Sequence, residues 1–189
     1  MNNQEYIYKS FETILEMLND RKIDVAHVNK TILEKTLLEN SNKTGFEIEI
    51  DNIKIIYYLS MKFKWSELKK FFETPNENAL YLLVINDKIS QNNMKSINAL
   101  NLQMQIFNIK ELQFNITKHI FVPKHEVIYD QNEIKNLLET YSLKSKYQLP
   151  LIMKSDPVSR YYGVKNGDVF KITRDSETSG EYIIYRCCM

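Results

Sequence analysis

The sequence predicts an α+β fold in two domains. The first is an N-terminal α/β domain over residues 1–118, a nuclease-like sheet covered by helices. The second is a small C-terminal α+β domain over residues 119–189 with a mixed sheet. Three observations carry this reading. Apolar runs of strand length alternate with helical spacing from residue 53 to 107, the pattern of a sheet joined by crossover helices. Turn and cap signals crowd into the stretch from Asp156 to Arg186. No internal repeat or low-complexity linker interrupts the chain, so the two domains are expected to abut.

In the N-terminal half, Tyr6, Phe11, Ile14, Leu15 and Leu18 recur at helical spacing and predict a helix over 3–20. Val28, Ile32, Leu33 and Leu37 predict a second over 25–39, broken by the segment from Asn40 to Gly45. Phe46, Ile48 and Ile50 alternate with Glu47, Glu49 and Asp51, as in a half-exposed strand. Residues 53–59 read as a second strand. Helical spacing returns from Trp65 to Glu73 and stops before Pro75. Leu80 to Ile85 reads as a buried strand, and Ser90 as the cap of a helix running to Leu100. Gln103 to Phe107 is a further strand, followed by a short turn or helix at 110–115.

In the C-terminal part an extended segment from Phe121 to Ile128 contains Pro123. Asp130 caps a helix over 131–141, with Glu133 placed for a capping box. Asp156 caps a short helix with Pro157 at its first position, where no N–H is needed. Gly163 ends that helix in the left-handed conformation. Asn166-Gly167 marks a turn. Val169, Phe170 and Ile172, then Tyr182 to Tyr185, fit two strands, and Gly180 sits where the loop between them turns back.

Composition narrows the function. Hydrophobic residues are 43% and charged residues 26% of the 189, with 25 basic against 24 acidic side chains and a net charge of +1. Such a length suits a buried core, and roughly 70% of the unfolded chain's surface can leave water. Neither half is the basic block of a protein that binds nucleic acid unaided. The adjacent Cys187 and Cys188 cannot staple a domain and nothing completes a zinc set, so a reducing compartment is expected. No signal peptide or membrane span is read, and so no membrane partner. With 4 glycines the chain holds no nucleotide-binding glycine loop, and no cofactor is implied.

Several residues fall into an order that resembles a known family. They are Val122-Pro123-Lys124-His125, Gln148-Leu149-Pro150, and Asp156-Pro157-Val158-Ser159-Arg160-Tyr161-Tyr162-Gly163, followed by Gly167 and Arg174. Ser176-Glu177-Thr178-Ser179-Gly180, Tyr182 and Tyr185-Arg186 complete the set. Together they resemble the C-terminal domain of the fifth-largest subunit shared by the eukaryotic nuclear RNA polymerases. Its archaeal counterpart consists of this domain without the N-terminal jaw domain that the eukaryotic form adds. The element order of residues 1–118 matches that jaw. The family has a Thr-Pro step at the start of a helix that looks toward downstream DNA. Here the step reads Ser90-Gln91, so the proline is missing while the cap chemistry survives.

The resemblance implies a non-catalytic subunit of a DNA-directed RNA polymerase, with no catalytic, cofactor or metal residues. The C-terminal domain would dock on the largest subunit, alongside other polymerase subunits. The jaw would bring Ser90, Gln91, Asn92 and Lys95 near the downstream duplex. The family motif supplies the interface candidates already quoted, of which Tyr161, Arg160, Arg174 and Arg186 are the expected anchors. A cellular copy would work in the nucleus, and a viral one in the virion or at a cytoplasmic replication site.

The competing readings are a stand-alone metal-dependent nuclease-like protein and a protein-interaction adaptor. A nuclease needs an acidic-x-Lys element on a strand beside a second acid that holds Mg²⁺. Asp20-Arg21-Lys22, Glu67-Leu68-Lys69 and Glu133-Ile134-Lys135 all fall on predicted helices or helix ends. The carboxylates of Glu47, Glu49 and Asp51 face one side of a strand, which fits either a cation site or, better, a solvated strand face. His27, His119 and His125 read as structural, because none has a ligand set around it. Arg160, Arg174 and Arg186 form either a binding face or pairs with Asp156, Glu177 or Glu181.

Overall fold

The computed structural model describes residues 3–28, 30–40, 45–176 and 180–189. The chain divides into two compact units, Met1–Phe114 and Asn115–Met189. Each has its own four-stranded mixed sheet.

The first unit runs α1 (Asn3–Asp20), α2 (Lys30–Glu39), β1 (Gly45–Ile50), β2 (Ile53–Tyr58), α3 (Trp65–Leu68), β3 (Leu80–Ile85), α4 (Gln91–Asn98) and β4 (Gln103–Asn108). Its sheet order is β1-β2-β3-β4. The β1–β2 pair is an antiparallel hairpin, and β2, β3 and β4 are parallel. Parallel neighbours need crossovers, and α3 and α4 supply them. One face of the sheet, through Ile56, Tyr58, Tyr81, Leu83 and Ile85, packs on Leu68, Phe72 and Ile97 from the crossovers. On β2, side chains alternate between faces, so Tyr57 points the other way. There its hydroxyl lies 3.1 Å from Ser10 Oγ of α1. Phe46 stacks on the Tyr57 ring with centroids 4.9 Å apart.

Two expectations for this unit change in detail, and a third falls partly outside the described residues. The second helix begins at Lys30 rather than Val25, because Asp24 Oδ1 accepts from Ala26 N at 3.0 Å and a Val28–Val25 backbone bond closes a turn there. The crossover from Trp65 tightens into a 3-10 turn at Lys69–Phe72. The expected break before Gly45 includes residues 41–44, which lie outside the described set.

The second unit runs β5 (Lys124–Ile128), α5 (Gln131–Thr140), β6 (Leu151–Ile152), α6 (Pro157–Tyr162), β7 (Val169–Ser176) and β8 (Gly180–Cys188). Its sheet order is β5-β7-β8-β6, antiparallel except for the parallel β6–β8 contact. Each face buries its own cluster. Ile128, Val169 and Cys187 pack on Ile134 and Leu137 of α5, together with Leu149. Phe170, Ile172, Cys188 and Ile152 form the opposite cluster with Val164 and Tyr162 beside α6. The split follows from the strand period of two: odd residues of β7 face α5 and even residues face α6.

The caps account for the boundaries. Asp156 Oδ1 accepts from Val158 N at 2.9 Å, Pro157 stands at the first helical position, and Gly163 closes α6 at φ 64°. A side chain there would meet the strain that glycine avoids. Asp130 caps α5 through Asn132 N at 2.9 Å. The two-way box predicted at Glu133 is found instead at Ser145 and Gln148, on a 3-10 turn at Lys146–Gln148. Gln148 Oε1 accepts from Ser145 N at 3.3 Å and from Lys144 N at 2.7 Å. At Gly167, φ is 88°, a conformation in which any side chain is strained, so this turn favours glycine.

Residues 115–189, expressed alone, should unfold in one cooperative transition in denaturant. Phe170→Ala, which empties the centre of the α6-side cluster, should lower their stability by about 3–5 kcal/mol. A non-cooperative transition of the unaltered fragment would contradict its independence.

Candidate functional site

The β7–β8 register brings distant motif residues onto one surface. Phe170 pairs with Arg186, Ile172 with Ile184 and Arg174 with Tyr182, while Ile172 also pairs with His125 on β5. Directly paired residues share a face. His125, Arg174, Tyr182 and Arg186 therefore all stand on the α6 side. Arg174 and Tyr182 are exposed, and His125 and Arg186 are half-buried. Arg186 Nη1 donates to the Leu151 carbonyl at 2.9 Å. Among the described residues no ion pair joins Arg174 or Arg186 to Asp156 or Glu181, so the paired alternative is not realised there. Glu177 lies outside the described residues. Ser176 ends β7, and Gly180 opens β8 opposite it at φ 72°.

His125 is tied down on three sides. Its Nδ1 lies 2.7 Å from the Pro123 carbonyl, its ring meets Phe170 edge-on at 5.6 Å, and its own carbonyl accepts from the Tyr162 hydroxyl at 3.0 Å. Burial pushes its pKa below the ordinary histidine value, with Arg174 and Arg186 acting in the same direction. The Pro123 carbonyl and Asp156 oppose the shift. Burial likewise pushes both cysteine thiols up, which suits inert core residues.

Other motif residues serve the fold. Tyr161, an expected interface anchor, is only 4% exposed, and its hydroxyl accepts from Asn115 Nδ2 at 2.8 Å. A ring with so little free surface cannot anchor a partner, so its role is corrected to internal packing. Leu149 is buried in the α5-side cluster, and the Pro150 carbonyl accepts from Cys187 N at 2.9 Å. Tyr185 faces α5 instead of α6, with its ring edge-on to Tyr141 at 6.0 Å. Arg160 is half-buried in the last turn of α6.

In the first unit, Ser90 caps α4 by accepting from Asn93 N at 3.4 Å, and Gln91, Asn92 and Lys95 are exposed. The register Tyr58–Ile85–Asn108 sets the loops after β2, β3 and β4 side by side. They carry the exposed Lys62, Lys88 and Lys110, and Lys95 follows on α4. Among the described residues none of these four lysines makes an ion pair. The opposite edge carries the exposed Asp24, Asp51, Glu73 and Glu77. Asp87 and Glu111 are exposed in the same loops, so the lysine excess at this end of the sheet is small, and composition alone could not place it.

Two of the three carboxylates on and after β1, Glu49 and Asp51, have a nitrogen neighbour. Glu49 Oε1 lies 3.6 Å from Lys54 Nζ, and Asp51 Oδ2 lies 3.4 Å from His27 Nε2. The three acidic-x-Lys elements sit on helices or helix ends. Among the described residues no group of three His, Cys, Asp or Glu side chains gathers to hold a metal, and no helix is long and apolar enough to cross a membrane.

Because the folded His125 binds its proton less tightly than the unfolded one, the unfolded chain takes up more protons near and below the ordinary histidine pKa. Residues 115–189 should therefore lose stability as pH falls from about 7 through about 6.5. His125→Gln should flatten that part of the profile in denaturant titrations, and an unchanged slope would contradict the assignment.

The family model for the C-terminal domain of RNA polymerase Rpb5 matches residues 114–188. Over its length the chain is similar to "DNA-directed RNA polymerases I, II, and III subunit rpabc1" of Dictyostelium discoideum, 31% identical over 188 residues and covering 94% of both chains. It is similar to "DNA-directed RNA polymerases IV and V subunit 5B" of Arabidopsis thaliana, 30% identical over 95% of this chain and 88% of the relative. "DNA-directed RNA polymerase V subunit 5C" of the same plant is 32% identical over 95% of this chain and 82% of the relative. With similarity running through both units and the motif face assembled on one sheet, the chain belongs to the Rpb5 family of RNA polymerase subunits.

Proposed function

We propose that this chain is a non-catalytic subunit of a multisubunit DNA-directed RNA polymerase. It docks on the largest subunit through its C-terminal unit and contributes its N-terminal unit to the jaw around downstream DNA. The observation that carries the reading is the 31% identity to a polymerase subunit over 94% of both chains. A cellular copy works in the nucleus with its polymerase, and a viral copy at the virion or the cytoplasmic replication site.

The physical arrangement supports each part. Arginine and tyrosine are favoured interface anchors, and Arg174, Tyr182 and Arg186 present such groups on one face. Lys62, Lys88, Lys95 and Lys110 line one edge of the first sheet, where the N–H groups at the start of α4 also favour phosphate. Four mobile charges on a unit with little net charge give weak, strongly salt-dependent contact. Such contact matters when the polymerase already holds the duplex nearby.

Full-length tagged chain, purified from its native source, should bring down the other polymerase subunits. Residues 119–189 should retain the largest subunit, and residues 1–118 should not. Retention by the N-terminal fragment alone would contradict the division of labour. Lys95→Ala should weaken downstream DNA contact only in the assembled enzyme. Cleavage of DNA by the free protein with Mg²⁺ or Mn²⁺, lost on Glu49→Ala or Asp51→Ala, would favour the nuclease reading instead.

A further inference from the structure

We infer that the outer edge of β8, from Glu181 to Tyr185, is a strand-addition site that takes an extended segment of another polymerase subunit. The inference rests on the polymerase reading above and names how that partner is held.

The backbone bonds fix which groups point outward. Cys188 N donates to the Asp168 carbonyl at 2.8 Å, and the Cys188 carbonyl accepts from Gly167 N at 2.8 Å, both toward β7. Cys187 N donates to Pro150 at 2.9 Å and Met189 N to Ile152 at 3.0 Å, both toward β6. In an antiparallel ladder these directions alternate residue by residue. The even residues Tyr182, Ile184 and Arg186 therefore bond to β7, and the odd residues Glu181, Ile183 and Tyr185 aim their N–H and C=O groups away from it. β6 covers only Cys187 and Cys188. Among the described residues the outward groups of Glu181, Ile183 and Tyr185 have no backbone partner.

The sheet's two edges differ. Edge strands are normally blunted by proline and charge. β5, at the far edge, follows Pro123 and carries Lys124 and Glu126, ion-paired at 3.0 Å. The open part of β8 has one charge, Glu181, followed by Tyr182-Ile183-Ile184-Tyr185. Ile183 is 38% exposed, and Leu151 of β6, paired beside Cys187, is 45% exposed. An edge this apolar is a pairing template, not a guarded one.

Its flanks specify the occupant. An added strand places alternate side chains on the two faces. On the α5 side they meet Ile183, Tyr185 and Leu151, which calls for apolar residues. On the α6 side they run past Tyr182 and Arg186, which calls for a carboxylate or another acceptor. The partner segment is thus a short strand with apolar residues on one face and an acidic residue on the other.

Two measurements test this, both on the full chain. Ile183→Pro removes an outward N–H and leaves the β7 ladder intact, as prolines on edge strands do. It should keep the thermal transition while cutting recovery of the other polymerase subunits about tenfold or more, the scale of a lost hot spot. Undiminished recovery would overturn the inference. Failure of the unaltered chain to recover any polymerase subunit would instead overturn the reading beneath it. Amide exchange on the unaltered chain decides the matter even if the proline variant does not fold. The amides of Glu181, Ile183 and Tyr185 should exchange quickly in the free protein and slow about tenfold or more in the assembled polymerase, while Ile184 is protected in both. Outward amides that stay unprotected on assembly, or that are already protected in a dimer of the free chain, would overturn it.

Discussion

The antiparallel pairing of β7 with β8 is the constraint on which the second unit depends. Its register, Val169 with Cys187 through Arg174 with Tyr182, fixes three things together. It puts Val169 and Cys187 into the α5-side cluster and Phe170 and Ile172 into the α6-side cluster. It gathers His125, Arg174, Tyr182 and Arg186 on one surface. It also turns the backbone of Glu181, Ile183 and Tyr185 outward. A slip of β8 by one residue would exchange its faces, sending Arg186 toward the α5-side cluster and Cys187 away from it. The turn at Gly167 and the left-handed Gly180 pin the hairpin at its two ends.

The two units solve different physical problems. The first buries both faces of a largely parallel sheet and leaves its chemistry at the ends of the strands, where loops after β2, β3 and β4 carry lysines. Exposed lysines suit the repeating phosphates of a duplex, and the same loops line a cavity of about 230 Å³ with Leu59, Asn86, Ile109 and Lys110. The second unit keeps its strand edge and one arginine-rich face available. Such surfaces suit a permanent protein partner, because main-chain pairing supplies affinity while side-chain anchors supply specificity.

How much was legible in the sequence followed from how local each signal is. α6 could be read because Asp156, Pro157 and Gly163 each act within one turn of their neighbours. β7 and β8 could be read from β-branched and aromatic runs bounded by glycines. The start of α2 could not, because the turn held by Asp24 competes with a helical pattern that continues through Val25 and Val28. The box at Ser145 and Gln148 sits on a three-residue turn with no periodicity to reveal it. The site was harder still. Tyr161 is of an interface-prone residue type, and its burial, with the hydroxyl held by Asn115, identifies it as core. The open β8 edge depends on β6 being two residues long and parallel, a non-local fact.

Chemical crosslinking of the native assembled polymerase probes the proposed division between a protein-docking unit and a DNA-facing unit in a single experiment. Lys171 and Lys124, on the second unit's sheet, are expected to link to neighbouring polymerase subunits. Lys62, Lys88, Lys95 and Lys110 are expected to link to a photoreactive downstream duplex. Links of the second unit to DNA, with the first unit's lysine-bearing edge joined only to protein, would contradict it.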